Sequence, residues 1–515
     1  MYLTKDASSI VVPFRPDLAT LIPHAKPLEH RGEKYLVVPN GHDEARLARN
    51  LGVPIPAPIL TRYDWCGQKP WAIQKTTAAL LTESYRAYVL NSMGTGKSRA
   101  ALWAIDYLMK TGKAKRALIA APLSTLTPVW ESELFRVLPH RKRTVLYGTR
   151  DQRRQALANG AEIMIINHHG LHLLQAELIA CDFDVVVIDE LAVFRNRSTR
   201  LWKSANAVVE RARFAWGMTG SPTPNAPTDA WAQVRLLTPG RTTRTMAAFQ
   251  DLTMRRVSQF RWVARPEAND VVFTAMQPSV RYCREDIMEL PDTVYTDREV
   301  QLSPEGDKAY KLLFKKMRML TQCGKSISAV NEGVLQNKLL QVACGFIYTD
   351  TRTVYALPNE GRLKALDEVI AETDRKVIIF VPYIHALAGI AEHLQKKGHS
   401  IAVVNGATPR GARDKIFMNF QNAKDPRLLI AHPGCMSHGL TLTAANTIIW
   451  FAPVNSLEIY EQANARITRP GQSSKTLIAH LYGTPVERAT YARLRSRAKM
   501  QGLLLALFRD QRLEF

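Results

Sequence analysis

Between residues 86 and 221 short apolar, β-branched runs recur between stretches of mixed polarity: RAYVLNS, RALIAAP, RTVLYG, EIMIINH, DVVVIDE and FAWGMTGS. Continuous apolar strands alternating with helix-like segments predict a parallel sheet covered on both faces. The pattern stops near Pro239 and resumes at 376 with KVIIFV, IAVVNG, RLLIAH, NTIIWF and KTLIAHLY. The expected fold class is therefore α/β, with two parallel-sheet lobes of similar design. The stretch between them is arginine-rich, then helical in SPEGDKAYKLLFKKMRML and VNEGVLQNKLLQVAC, and reads as a mostly helical insertion. A small leading module carries a strand at EKYLVVPN and a helix at DEARLARNLG, closed off by Pro54, Pro56 and Pro58. The tail, PVERATYARLRSRAKMQGLLLALF, is a helix with one very basic face. The resulting boundaries are an accessory module at 1–62, lobe one at 63–240, the insertion at 241–355, lobe two at 356–485 and a C-terminal brace helix at 486–515.

Composition narrows the setting. At 515 residues the chain suits two or three domains. No apolar run approaches the roughly 20 residues of a membrane span, and MYLTKDASSIVVPF lacks a secretory pattern. The expectation is a cytoplasmic protein with no membrane partner. Lys and Arg number 69 against 46 Asp and Glu, a net charge of +23. Such an excess attracts polyanions and points to nucleic acid; a basic surface kept for solubility is the plainer alternative. Six cysteines (Cys66, Cys181, Cys283, Cys323, Cys344, Cys435) are scattered without the close pairs of a zinc site, which fits free thiols in a reducing compartment.

Gly94, Thr95, Gly96, Lys97 and Ser98 follow the strand AYVLNS and open the helix RAALWAIDYL. In that context backbone N–H groups and a helix N-terminus cradle phosphates. Lys97 would reach the β/γ-phosphates of ATP and the Ser98 hydroxyl would ligate Mg²⁺. Asn91 stands where such loops usually have their first glycine. DVVVIDEL ends a buried strand in two carboxylates: Asp189 would hold the metal and Glu190 would orient the attacking water. Gln74, in KPWAIQ, would read the adenine edge through its amide; a surface glutamine on a helix is the alternative. Thr219, Gly220 and Ser221, in GMTGSP, would relay γ-phosphate loss to the rest of the lobe.

The segments KPxxQ, GTGKS, APLSTLTPVW, DELA, TGSPTPN, SHGLTLTAA and QANARITRPGQ occur here in the order of superfamily-two helicases. Across about residues 65–510 the chain resembles, more narrowly, the Swi/Snf-type DNA translocases, including compact phage and bacterial members. The resemblance implies two RecA-like lobes forming an ATP cleft, with ATP and Mg²⁺ as cofactors. It makes Arg466 and Arg469 the arginines that stabilise the transferring phosphate, and Gln462 their neighbour one turn earlier on the same helix face. Ala192 departs from the His or Asp common in the fourth position of the acid box, and Ser437 and Thr441 depart from glycine and asparagine.

The same architecture implies nucleic-acid contacts at strand ends. These are Pro122, Leu123, Ser124 and Thr125 in lobe one, with Asn167 and His168 as lesser candidates, and Asn405, Gly406, Gly439 and Thr443 in lobe two. They would meet phosphates and position the chain without reading sequence. Two basic clusters, HRKRTVLYGTRDQRR and RTTRTMAAFQDLTMRRVSQFRWVAR, add arginines beside Phe249, Phe260 and Trp262; solvated charged faces are the alternative. The leading module is either a substrate-recognition device or a structural extension. The partners expected are duplex or forked DNA, with replication, repair or nuclease proteins beside it, in a bacterial or phage-infected cytoplasm. Three functions stand open: an ATP-driven motor tracking along duplex DNA, a strand-separating helicase, and a nonhydrolytic clamp or nuclease subunit. The intact Lys97, Asp189, Glu190, Arg466 and Arg469 argue against the last.

Overall fold

The computed structural model describes residues 2–258, 261–286, 291–322, 329–348, 354–436, 441–469 and 471–509. The chain divides into two units, one of residues 1–287 with 501–515 and one of residues 288–500.

The first unit opens on an antiparallel sheet of β1 (Tyr2–Leu3), β2 (Ser9–Pro13), β3 (Lys26–His30) and β4 (Glu33–Pro39), in the order β1-β2-β4-β3. Alternate residues of β2 and β4 (Ile10, Val12, Leu36, Val38) face inward onto Leu18, Ile22, Ala45 and Ala48, the last two on the helix His42–Asn50. This small core belongs to residues 10–55 alone. Polar contacts then dock the module: Lys113 pairs with Asp43 at 2.6 Å, and Arg49 pairs with Glu83. Burial holds the Glu83 carboxyl above its ordinary range even with Arg49 beside it.

Next come β5 (Arg86–Val89), β6 (Ala117–Ala121), β7 (Arg143–Leu146), β8 (Ile163–Asn167), β9 (Val185–Asp189) and β10 (Phe214–Met218), the six apolar runs of the sequence. They form an all-parallel sheet in the order β5-β10-β9-β6-β8-β7. The reason those runs carry no polar alternation lies in the two cores. Val185 and Val187 face one, with Trp103, Trp130 and Trp216, while Val186 and Ile188 face the other, with Leu171, Phe194 and Trp202. With successive side chains pointing to opposite faces and both faces covered, every position must be apolar.

The stretch 241–355 is not one insertion. Its first part belongs to the first unit: helices Met246–Thr253 and Ala268–Ala275 flank the hairpin of β11 (Met254–Ser258) and β12 (Arg261–Ala264), and β13 (Ser279–Val280) adds a seventh strand beside β5. Its second part belongs to the other unit, where β14 (Thr293–Glu299) lies along the full length of that unit's edge. Both edge strands are short or polar, so neither shows an apolar run, yet each completes a backbone ladder.

The second sheet is also all-parallel. Beyond the small hairpin of β15 (Phe346–Tyr348) and β16 (Val354–Ala356) come β17 (Lys376–Phe380), β18 (Ile401–Val404), β19 (Leu428–Ala431), β20 (Ala445–Trp450) and β21 (Thr476–Tyr482), in the order β14-β21-β20-β17-β19-β18. Ile378 and Phe380 face one core and Val377 and Ile379 the other. Deep inside, Arg362 binds Glu487 through two hydrogen bonds of 2.8 and 2.9 Å. Glu487 also accepts from Gly483 N and Thr484 Oγ1, which fixes the start of the last helix, Pro485–Arg509.

Among the described residues no helix is long and apolar enough to cross a membrane, and no cluster of three His, Cys, Asp or Glu forms a metal site. The described cysteines are free.

Candidate functional site

Because all seven strands of the first sheet run in parallel, the segments leaving their carboxyl ends share one edge. The glycine loop leaves β5, Pro122–Thr125 leaves β6, Asp189 and Glu190 close β9, and Thr219–Ser221 leaves β10. The lobe-one motifs thus meet where open parallel sheets place their ligands.

The loop after β5 has the shape that a phosphate needs. Gly94 and Gly96 sit at φ 85° and 77°, in the left-handed region open to glycine. A Cβ on Gly96 would stand 2.0 Å from Gln74 Nε2. The helix Lys97–Lys110 begins directly after Gly96 with no side chain capping its N-terminus, so its first-turn N–H groups are available to an anion. Lys97 Nζ is held at this loop by the carbonyls of Asn91 (2.8 Å) and Ser92 (3.2 Å), and Thr95 Oγ1 donates to Ser92 O. These residues fit a polyphosphate, and the hydroxyl of Ser98 with the carboxylate of Asp189 offers the hard oxygen donors Mg²⁺ prefers.

Asn91, where such loops usually have glycine, has a structural role that is invisible in sequence. Its side chain is a buried bridge: Nδ2 donates to Thr77 Oγ1 (3.1 Å) and Oδ1 accepts from Tyr282 N (2.9 Å). Gln74 is also buried, 2% exposed, and both ends of its amide have partners within the chain. Oε1 accepts from Trp71 N (3.0 Å) and Nε2 donates to Thr95 O (3.3 Å). It is not the surface glutamine of the alternative reading.

The acid pair is held by groups that the sequence does not single out. Past Thr125 the chain runs through a π-helical turn, Leu126–Glu131, which turns Trp130 wholly inward. Its indole Nε1–H donates to Asp189 Oδ2 at 2.9 Å. Asp189 Oδ1 accepts from Glu190 N, and Glu190 adopts φ 52°, a strained conformation for a residue with a side chain. His168 Nε2 lies 2.8 Å from the Asp189 carbonyl, so that nitrogen carries the proton. Thr219 N donates to Val89 O (3.0 Å), and a Cβ built on Gly220 would stand 3.7 Å from the Asn91 carbonyl.

Of the expected lobe-one contacts, Leu123 is exposed and Pro122 and Ser124 are half-buried, while Thr125 is buried with its hydroxyl on Pro122 O. Asn167 and His168 are buried as well, with Asn167 Oδ1 accepting from Arg153 at 2.8 Å. The first basic cluster is largely consumed by the fold: Arg141 binds Asp106 and Glu162, Arg153 binds the carbonyls of Leu146 and Gly148, and Arg154 binds Glu177. The second is more open. Arg255, Arg256 and Val257 are exposed on β11, and Trp262 is partly exposed across the hairpin from Arg256. Phe249 instead lies in the core, and Phe260 falls outside the described residues.

In the second unit the helix Leu457–Asn464 ends before either arginine, so Gln462, Arg466 and Arg469 do not share one helix face. Trp450 Nε1 anchors Asn464 Oδ1 at the helix end, and Pro470 disfavours helix at Arg469. Arg466 is fully buried. Arg469, 8% exposed, donates to Ala465 O (3.0 Å) and Thr441 Oγ1 (3.4 Å). Thr441, one of the sequence departures, thus contacts a motif arginine. Asn405 closes a tight turn through Ala407 N and leaves Gly406 exposed after β18; Thr443 Oγ1 accepts from Gln421. Gly439 and Ser437 lie outside the described residues.

A glycine loop that opens a helix and an acid pair on the carboxyl edge of a parallel sheet suit nucleotide hydrolysis, and comparison with known proteins specifies the family. Residues 77–344 match the SNF2-related domain and residues 361–471 the helicase conserved C-terminal domain. The chain belongs to the SNF2-related family of helicase-like, ATP-hydrolysing motors. It is similar to protein p41 of Acyrthosiphon pisum secondary endosymbiont phage 1, at 26% identity over 82% of this chain and 95% of that one. It also resembles an uncharacterized ATP-dependent helicase of Mycoplasma pneumoniae, at 24% identity over 77% of this chain but 38% of the relative's length. A solved Sulfolobus solfataricus SWI2/SNF2 ATPase core in complex with dsDNA aligns over 86% of this chain and 94% of its own, at 19% identity and a TM-score of 0.42.

Proposed function

We propose that this protein is a DNA-dependent ATPase that converts ATP hydrolysis into movement along double-stranded or branched DNA, remodelling forks or protein–DNA complexes. The observation that carries the reading is the convergence of Lys97, Asp189, Glu190 and Thr219–Ser221 on one sheet edge. Lys97 would hold the β/γ-phosphates, Ser98 and Asp189 would hold Mg²⁺, which would offset the phosphate charge, and Glu190 would orient the attacking water. Gln74 secures the loop through Thr95 and meets adenine with its remaining hydrogen-bonding capacity. Arg466 and Arg469 supply positive charge to the transferring phosphate. The net charge of +23 supports a polyanionic track, met at Pro122–Thr125, Asn405, Gly406, Gly439 and Thr443. Residues 1–62 serve as an accessory module and 486–515 as a brace. The names of the phage and bacterial relatives favour a bacterial or phage-infected cytoplasm as the setting.

One observation favours strand separation as a second reading: the hairpin β11–β12, with Arg255, Arg256 and Trp262, has the form and chemistry of a pin that meets exposed bases. The test is steady-state ATP hydrolysis with no nucleic acid, single-stranded DNA, blunt duplex, forked DNA and RNA. Strong stimulation by duplex or fork supports the translocase. Stimulation by single strands or RNA alone supports the helicase, and no stimulation by any of them counts against both.

A further inference from the structure

A line of contacts runs from the phosphate loop to a part of the chain that no motif covers. Lys97 Nζ donates to the Asn91 carbonyl, a Cβ built on Gly220 would stand 3.7 Å from that same carbonyl, Thr219 N donates to Val89 O on the loop's own strand, and Ser221 N donates to Thr219 Oγ1 at 3.2 Å. Beyond Ser221, its hydroxyl accepts a 3.0 Å hydrogen bond from Gln501 Nε2, 280 residues downstream. Both side chains are buried, Ser221 at 8% and Gln501 at 4% exposure. Gln501 lies on the last helix, whose residues from 501 onward belong to the first unit. There Leu504, Leu505 and Phe508 join the core that holds Val272, Ala275 and Met276, and the Phe508 ring meets Phe273 at 5.0 Å.

The same turns make a second tie. Arg509 pairs with Asp286 at 2.6 Å, and Asp286 accepts from Cys283 N. This segment continues β13, and between the two Tyr282 bonds the loop through Ser92 N and Asn91 Oδ1. In the sheet β5 lies between β13 and β10. Residues 501–509 therefore hold the segments that leave both neighbours of the phosphate-loop strand.

We propose that residues 501–509 form a strap that reads the state of the phosphate loop, with Gln501 as a positioning residue for Ser221 that sets how strongly nucleic acid stimulates turnover. The inference rests on the reading of Thr219–Ser221 as the coupling segment. A buried amide donor must be matched. When the 219–221 segment shifts with loss of the γ-phosphate, the Gln501 bond must break or the helix must follow, so the movement is resisted and passed on.

The test compares Gln501→Met, which keeps length but removes the donor, with Ser221→Ala and the double variant. The readout is the ratio of turnover with blunt duplex DNA to turnover without it, which a partly unfolded preparation does not alter. Each single variant is expected to lower the ratio about fivefold, with the double variant no lower than the worse single. Arg509→Gln, at the exposed end of the strap, tests the second tie without disturbing the core and is expected to lower the ratio roughly twofold. A normal ratio in Gln501→Met and Arg509→Gln alongside a lowered one in Ser221→Ala overturns the strap and spares the coupling segment. A normal ratio in Ser221→Ala overturns both. Independent, multiplying effects of the two buried positions also overturn the proposal.

Discussion

In the first unit Lys97, Asp189 and Glu190 stand half-buried at strand ends, whereas in the second Arg362, Arg466, Arg469 and Glu487 lie inside the protein. The sheets that carry them are alike: parallel, covered on both faces, with alternate residues feeding two cores. At the open edge, water and backbone groups solvate a charge at little cost. Inside, a guanidinium needs a partner of matching geometry, as Arg362 has in Glu487. Charges at the first unit's sheet edge thus cost the fold little, while the Arg362–Glu487 pair in the second is bound up with folding itself. Substitutions in the two units should accordingly fail in different assays.

The largest separation is expected at Glu190 and Lys97. Glu190→Gln should retain ATP binding and lose about 10²- to 10⁴-fold in turnover with an unchanged unfolding midpoint; wild-type turnover would show that another group orients the water. Lys97→Ala should abolish nucleotide binding or turnover, again without unfolding. Next is Glu487→Ala, which leaves a buried guanidinium uncompensated and should cost about 3–5 kcal/mol in urea unfolding. A loss below about 1 kcal/mol would break the comparison, because the buried pair would then be dispensable.

Trp130→Phe sharpens the comparison within the first unit. Removing the indole donor from Asp189 Oδ2 should lower turnover about tenfold while the apolar packing is kept. If stability fell and turnover did not, Trp130 would be a core residue alone. The smallest effect is a pH dependence from three histidines of the second unit. Burial holds His480 below its ordinary value of 6.5 despite its bond to Asp297, and burial likewise lowers His432 and His399. The unfolded chain then takes up protons first. The stability these histidines contribute is present above pH 6.5 and lost as pH falls through their folded values. Unfolding followed from pH 7.5 to 5 should show this slope, and His480→Gln should flatten it; an unaltered slope would assign the acid sensitivity to other groups.

Much of the fold and of the first unit's site is legible in the amino-acid order. The inner strands stand out because burial on both faces forces an unbroken apolar run, a purely local signature. The glycine loop is legible because positive φ and a helix start are also local demands. The edge strands β13 and β14 are hidden within 241–355, since an exposed or two-residue strand carries no apolar pattern. Arg466 and Arg469 are recognisable as a motif, but the helix end at Asn464 depends on Trp450, a distant partner.

By itself, then, the amino-acid order shows two α/β lobes, a glycine loop opening a helix, an acid pair at a strand end and a strongly basic chain, because each of these rests on spacing, turn chemistry or total charge. Only the tertiary structure decided that Asn91 bridges Thr77 and Tyr282, that Trp130 holds Asp189, that most of the arginines at 140–154 are spent on the fold, and that Gln501 reaches Ser221. Most of those pairings join residues far apart in the chain, and a contact that depends on where a whole sheet places its ends leaves no periodicity in the sequence to read.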